Sequence, residues 1–135
     1  MTRLWERLYL GSLADSERLM DSNRHGITTV ITLSKSPVSS KRHDVNYIHI
    51  PVEDAKAVSV GRFDAVMDTI AENIRWGTVL VQSDKAGNTA LNFAAAWMAA
   101  VGYKNIDGAL VEIRQLHPFM TPSRTLLSSI RRNLQ

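Results

Sequence analysis

The stretch Gln82-Ser83-Asp84-Lys85-Ala86-Gly87-Asn88 joins a continuously apolar run, Thr78 to Val81, to an alanine-rich segment that opens at Thr89. A buried strand that passes through a tight loop into a helix N-terminus aims several backbone N–H groups at one point. The helix dipole adds partial positive charge there, so an anion is favoured. Gly87 and the small Ala86 suit a backbone that must turn sharply. The candidate anion-binding set is Ser83, Asp84, Lys85, Ala86, Gly87, Asn88 and Thr89. Ser83, at the mouth of the helix, is also a candidate nucleophile, with the loop amides as an oxyanion hole. A tight loop takes a small residue for fit alone, and that is the plainer account of Ser83. Lys85 could form a Schiff base if burial depressed its pKa; otherwise it is an exposed loop cation.

Other chemistry is excluded by composition. The chain has no cysteine, so disulfides, thiolate metal sites and thiol catalysis are ruled out. His25, His43, His49 and His117 are too scattered for a zinc motif, and no helical HExxH occurs. Neither a metal nor an organic cofactor is indicated. The net charge of +3 is too weak to argue for nucleic acid, and Trp5, Trp76 and the other aromatics form no base-stacking platform. The charge is uneven, however: from Gly108 to Gln135 four arginines (Arg114, Arg124, Arg131, Arg132) face one acid, Glu112. This is either a solvated basic helix or a patch that attracts phosphorylated or acidic partners.

At 135 residues, 44% hydrophobic and 21% charged, the sequence fits a single domain spanning 1–135 with one core. The longest apolar candidate, Phe93 to Val101, falls well short of the roughly 18 residues a membrane helix needs. The opening Met-Thr-Arg-Leu-Trp-Glu-Arg has no signal-peptide h-region. A cytoplasmic monomer that makes no membrane contact is expected.

The elements that would position the loop follow from periodicity. Leu8 to Gly11 reads as a first strand, and Leu13 to Asn23 as a helix stopped at His25-Gly26. Ile27 to Leu33 is a buried strand, Ser34 to Asp44 a loop, and Asn46 to Val52 a third strand running into Pro51. Gly61 to Trp76 is an amphipathic helix with Phe63, Val66, Met67, Ile70 and Ile74 on one stripe. Thr78 to Val81 is a strand covered on both faces. Helices follow over Thr89 to Val101 and Ile106 to Leu116, the latter capped by Asn105 or Asp107. A last helix starts at Thr121-Pro122 and ends near Asn133. The fold class is α/β, a central mostly parallel sheet of about four to five strands flanked by helices. In such sheets ligands bind beyond the carboxyl ends of the strands, which is where the 82–88 loop lies.

Read together, these segments resemble the dual-specificity branch of the protein tyrosine phosphatase superfamily. Leu8-Tyr9-Leu10-Gly11-Ser12 looks like that family's opening strand and turn, and His25 to Leu33 like its second strand. Ile50-Pro51-Val52-Glu53-Asp54 is similar to the segment carrying the general-acid aspartate, which would be Asp54. Thr78 to Val81 looks like the strand feeding the phosphate loop, and Ala94-Ala95-Ala96-Trp97-Met98 like the helix after it. Leu116-His117-Pro118 through Thr121-Pro122-Ser123 and Leu126-Leu127 is similar to the Arg-Pro…Pro segment. The signature His-Cys-x5-Arg is lost. An ungapped register sets Gln82, Ser83 and Thr89 at its three positions; sliding by one sets Asp84 and Ala90 at the last two. No arginine occurs between Arg75 and Arg114.

Without a thiolate and a bidentate guanidinium, cysteine-phosphatase turnover is not expected. Asp54 alone, an acid with no phosphoenzyme to form, accomplishes nothing, and it is equally a turn or capping carboxylate. The resemblance then implies an inactive phosphatase-like domain that holds a phosphate or sulfate, free or on a phosphoprotein. The alternative is a changed active site on the same scaffold, by divergence or engineering. There Ser83 would hydrolyse small esters with His117 as base, because the His117 segment resembles the one beside the phosphate loop. Phe119 and Met120 would line an apolar ester pocket. His117 is also read as a hydrogen-bonded loop residue, His49 as a half-buried structural histidine, and Trp97 and Met98 as core.

Overall fold

The computed structural model describes residues 1–53, 56–83 and 88–134. Five strands form one sheet: β1 (Thr2–Trp5), β2 (Leu8–Ser12), β3 (Thr29–Thr32), β4 (Asn46–His49) and β5 (Val79–Ser83), in the order β1-β2-β5-β3-β4. Only β1 is antiparallel to its neighbour; β2, β5, β3 and β4 run parallel. The helices are α1 (Leu13–Arg18), α2 (Val60–Ile74), α3 (Asn88–Ala100), α4 (Ile106–Leu116) and α5 (Arg124–Asn133). The sheet is therefore mixed and five-stranded with helices flanking it, the α/β class expected.

Register explains the unbroken apolar runs in the centre. Ile31 pairs with Val81, and Val81 with Leu10, so these three share a face with Val79 and Leu8. That face meets α2, α3, α4 and α5 in the main core. Val30, Leu80 and Tyr9 alternate to the other face, where they pack with Leu19, Ile27 and Val45. Every residue of β3 and β5 is buried, as two covered faces require. Helix α3 runs through the middle: Thr89 to Met98 are all buried, with Ala94, Ala95 and Ala96 letting neighbours approach closely.

Local signals account for most boundaries. Ser59 caps α2, its hydroxyl accepting from Arg62 N at 3.1 Å, and Phe63, Val66, Met67, Ile70 and Ile74 all turn into the core. Gly102, at φ +76, ends α3 with Tyr103 N donating to Met98 O at 3.1 Å. At α4 the cap is Asn105, which accepts from Gly108 N at 2.7 Å; Asp107 instead bonds Arg131. The cap of α5 is Ser123, not Thr121, so the helix begins after Pro122 rather than at it. Helix α1 is shorter than expected, giving way after Arg18 to turns in which Asp21 N and Ser22 N both reach Arg18 O. Strand β4 stops at His49, although Val52 N still bonds Leu33 O at 3.0 Å. His49 is exposed rather than half-buried, its Nε2 lying 2.8 Å from Ser34 O. Strand β1 was not anticipated. Leu4 anchors it in the core, and the Trp5 ring meets Trp97 edge-on at 6.1 Å.

Candidate functional site

Parallel strands β2, β5 and β3 point their carboxyl ends to one side of the molecule, and the centre of that side is the end of β5. Ser83 is its last residue, paired across the sheet with Ser12 at the end of β2. Ser83 is 1% exposed. Its hydroxyl accepts from Ala90 N at 3.0 Å, so it closes the first turn of α3 from seven residues upstream. Gln82 turns sideways, its Nε2 donating to Thr32 Oγ1 at 3.0 Å, and its Oε1 is buried without a protein partner among the described residues. Asn88 ties the start of α3 to the α4–α5 connection, its Oδ1 accepting from Thr121 N at 3.1 Å. Thr89 is buried beside it. Asp54, Asp84, Lys85, Ala86 and Gly87 lie outside the described residues. At the flank of Asp54, Glu53 pairs with Lys56 at 2.9 Å and the Arg62 guanidinium donates to Pro51 O.

His117 caps the end of α4 and lines a depression of about 340 Å3 with Ser12, Asp15, Phe119 and Met120. Phe119 and Met120 thus stand beside His117, but Ser83 is not in that lining, and no hydrogen bond joins Ser83 to His117 among the described residues. The serine nearest this pocket is Ser12. Its backbone N–H reaches Asp15 Oδ2 at 2.9 Å and its hydroxyl lies 3.3 Å from the same oxygen, while Met1 and Arg18 hold Oδ1. Ser12 and Asp15 were missed in the sequence, although Ser-x-x-Asp directly after a strand is capping-box spacing and was there to be read.

Burial, and then the nearby amino-terminal ammonium, hold the His117 pKa below the usual histidine range, against an upward pull from Asp15. Burial pushes Asp15 up, but hydrogen bonds from the ammonium and from Ser12 outweigh it and leave the carboxyl below its ordinary range. The two act in separate windows. An unfolded histidine takes a proton at about pH 6.5, whereas the folded imidazole resists it, so protonation favours the unfolded chain. The His117 contribution is full above that pH and is lost as pH falls below it; that of Asp15 is lost only in the acid range. Denaturation midpoints between about pH 7.5 and 5 should therefore fall more steeply for the wild type than for His117→Gln. Parallel slopes would show that His117 takes no part.

No protein-family model matches the sequence, and no curated protein aligns with it significantly. Solved structures do match. DUSP15 is 27% identical, with a TM-score of 0.81 over 99% of this chain and 84% of that one. A mouse putative dual specificity phosphatase complexed with zinc tungstate is 17% identical, with a TM-score of 0.82 over 98% and 85%. The human tyrosine phosphatase-like serine/threonine/tyrosine-interacting protein is 17% identical, with a TM-score of 0.80 over 96% and 92%. The chain therefore has the fold of the dual-specificity phosphatases within the protein tyrosine phosphatase superfamily. It is a cysteine-free version of that fold, without the His-Cys-x5-Arg signature. No helix among the described residues is long and apolar enough to cross a membrane.

Proposed function

We propose that this is a catalytically inactive phosphatase-like domain that works by binding, taking a phosphate, sulfate or phosphoprotein group at the 83–89 loop. The observation that carries the reading is Ser83. At the end of the central strand, where the scaffold would hold its thiolate, stands a buried hydroxyl already engaged by Ala90 N. A serine hydroxyl stays protonated there and, with no base bonded to it among the described residues, is a weak nucleophile. The α3 N-terminus and its amides still favour an anion. Two neighbours give the reading further support: one is described in complex with tungstate, a tetrahedral oxyanion, and another as phosphatase-like and interacting.

Calorimetric titration of the full chain with inorganic phosphate and with a phosphotyrosine peptide tests this. Saturable binding is expected, weakened about tenfold by Lys85→Glu, which replaces the one cation in the sequence of residues 82–89 with an acid. p-Nitrophenyl phosphate should be hydrolysed no faster than in buffer. Ser83→Ala should leave no activity to lose, but should cost about 1 kcal/mol of stability through the lost cap. A folded chain that ignores millimolar phosphopeptide would remove the anion site. Turnover of p-nitrophenyl esters that vanishes in Ser83→Ala would replace the reading with a serine hydrolase.

A further inference from the structure

Away from the strand ends, helix α4 carries an unfilled apolar groove. Leu110, Val111, Arg114 and Gln115 recur at intervals of three and four residues and so form one stripe. With Pro118 and Pro122 from the α4–α5 connection they line a depression of about 520 Å3. Leu110 is buried and makes the floor, whereas Val111 is 59% exposed. Leu116, the last residue of the helix, is 51% exposed and Phe119 93%, and both line the separate depression beside His117. Three large apolar side chains thus meet water within nine residues of one another. Single exposed apolar residues are ordinary; Val111, however, stands over an apolar floor in a groove that also carries charge, as contact surfaces do.

Its lining holds two charged side chains, Asp107 and Arg114, and only Arg114 is without an ion pair among the described residues. Both acids of α4 are neutralised within the chain, Asp107 by Arg131 and Glu112 by Lys104 at 3.3 Å. Arg114, Arg124 and Arg132 are exposed and hold no ion pair among the described residues. Arg114 stands in the groove lining itself, and Arg131 at its Asp107 end. A second copy of this face offers Arg114 no unpaired acid among the described residues, so self-association through it gains no charge complementarity.

We propose that the α4 groove is a docking site for an acidic peptide segment with bulky apolar anchors. Leucine- or phenylalanine-sized side chains would enter over Leu110 and Val111, and flanking carboxylates would meet Arg114, a bidentate partner for them. The site shares no residue with the 83–89 loop, and either could fail while the other stands.

The test is fluorescence anisotropy of the full chain with a labelled Asp/Glu peptide carrying Leu and Phe at helical spacing. Saturable binding is expected, weakening as salt rises. Arg114→Glu and Val111→Glu, both at exposed positions, should each weaken it about tenfold or more with the circular dichroism unchanged. Arg114→Glu should in turn gain affinity for the same peptide with its acids replaced by lysine. Four results would overturn the proposal. One is absence of binding, and another is equal binding of the peptide with serine in place of its anchors. The third is a dimer abolished by Val111→Glu. The last is a Val111-dependent preference for phosphatidylserine vesicles over the peptide. Phosphate titration of the same variants should be unchanged, which separates this outcome from that at the loop.

Discussion

Phe93→Ala should cost about 3–5 kcal/mol of folding stability, the range for emptying a fully enclosed aromatic site. Phe93 is 0% exposed and its ring sits 6.2 Å from that of Phe63. The magnitude depends on whether neighbours can collapse into the space, and here they cannot. Helix α3 is enclosed by the sheet on one side and by α2, α4 and α5 around the rest, so each candidate to move is held by other contacts. Phe93→Leu keeps most of the volume and should cost much less. Urea denaturation of the two variants checks this. A loss for the alanine variant below about 1 kcal/mol would mean that α3 is not the centre of the core.

Gly77→Ala should be the second large effect, for a reason unrelated to volume lost. A Cβ at residue 77 would fall on the Thr28 hydroxyl oxygen and 2.9 Å from Thr28 Cβ. Rotating Thr28 aside does not relieve the second contact, and it breaks two bonds. The hydroxyl donates to Thr78 O at 3.1 Å and accepts from Thr78 N at 2.9 Å, so it holds the start of β5 to the segment leading into β3. Overpacking and two lost hydrogen bonds together should cost about 2–4 kcal/mol. Thr28→Ala in the same chain removes the oxygen and has already lost those bonds. The double variant should therefore be less destabilised than the sum of the singles. Strict additivity would show that the two residues do not meet.

How legible this was in the sequence varies with the physics of each part. Helices α2 and α4 were readable because a one-sided core writes its period into them: Phe63, Val66, Met67, Ile70 and Ile74 all turn inward. Strands β3 and β5 were readable as unbroken β-branched and apolar runs. Strand β1 was not, because its turn carries no usual mark: Glu6 takes φ 40, a conformation normally signalled by glycine or asparagine. The start of α5 was misplaced because Thr121-Pro122 has the composition of a helix start, while the cap that forms is Ser123, bonded by Leu126 N. At the site, the pattern placed Ser83 in the loop after Val81, whereas β5 runs on to Ser83 itself, and the use of its hydroxyl was not readable at all. Which amide a side chain takes depends on how α3 is set against the sheet, and no local rule carries that. The neighbourhood of His117 likewise depends on α4 ending beside α1, a long-range fact.

The Ser83–Ala90 bond also constrains the order in which this chain could change. A thiol is a poor hydrogen-bond acceptor beside a hydroxyl, so Ser83→Cys would put a thiol at the end of β5 and at the same stroke loosen the first turn of α3. The arginine would still be missing, leaving an intermediate that is weaker than the present chain and no more active. A mutational route toward thiol chemistry at this position therefore runs downhill in stability before it gains anything. The first profitable step would be a new anchor for Ala90 N, made while Ser83 is still in place.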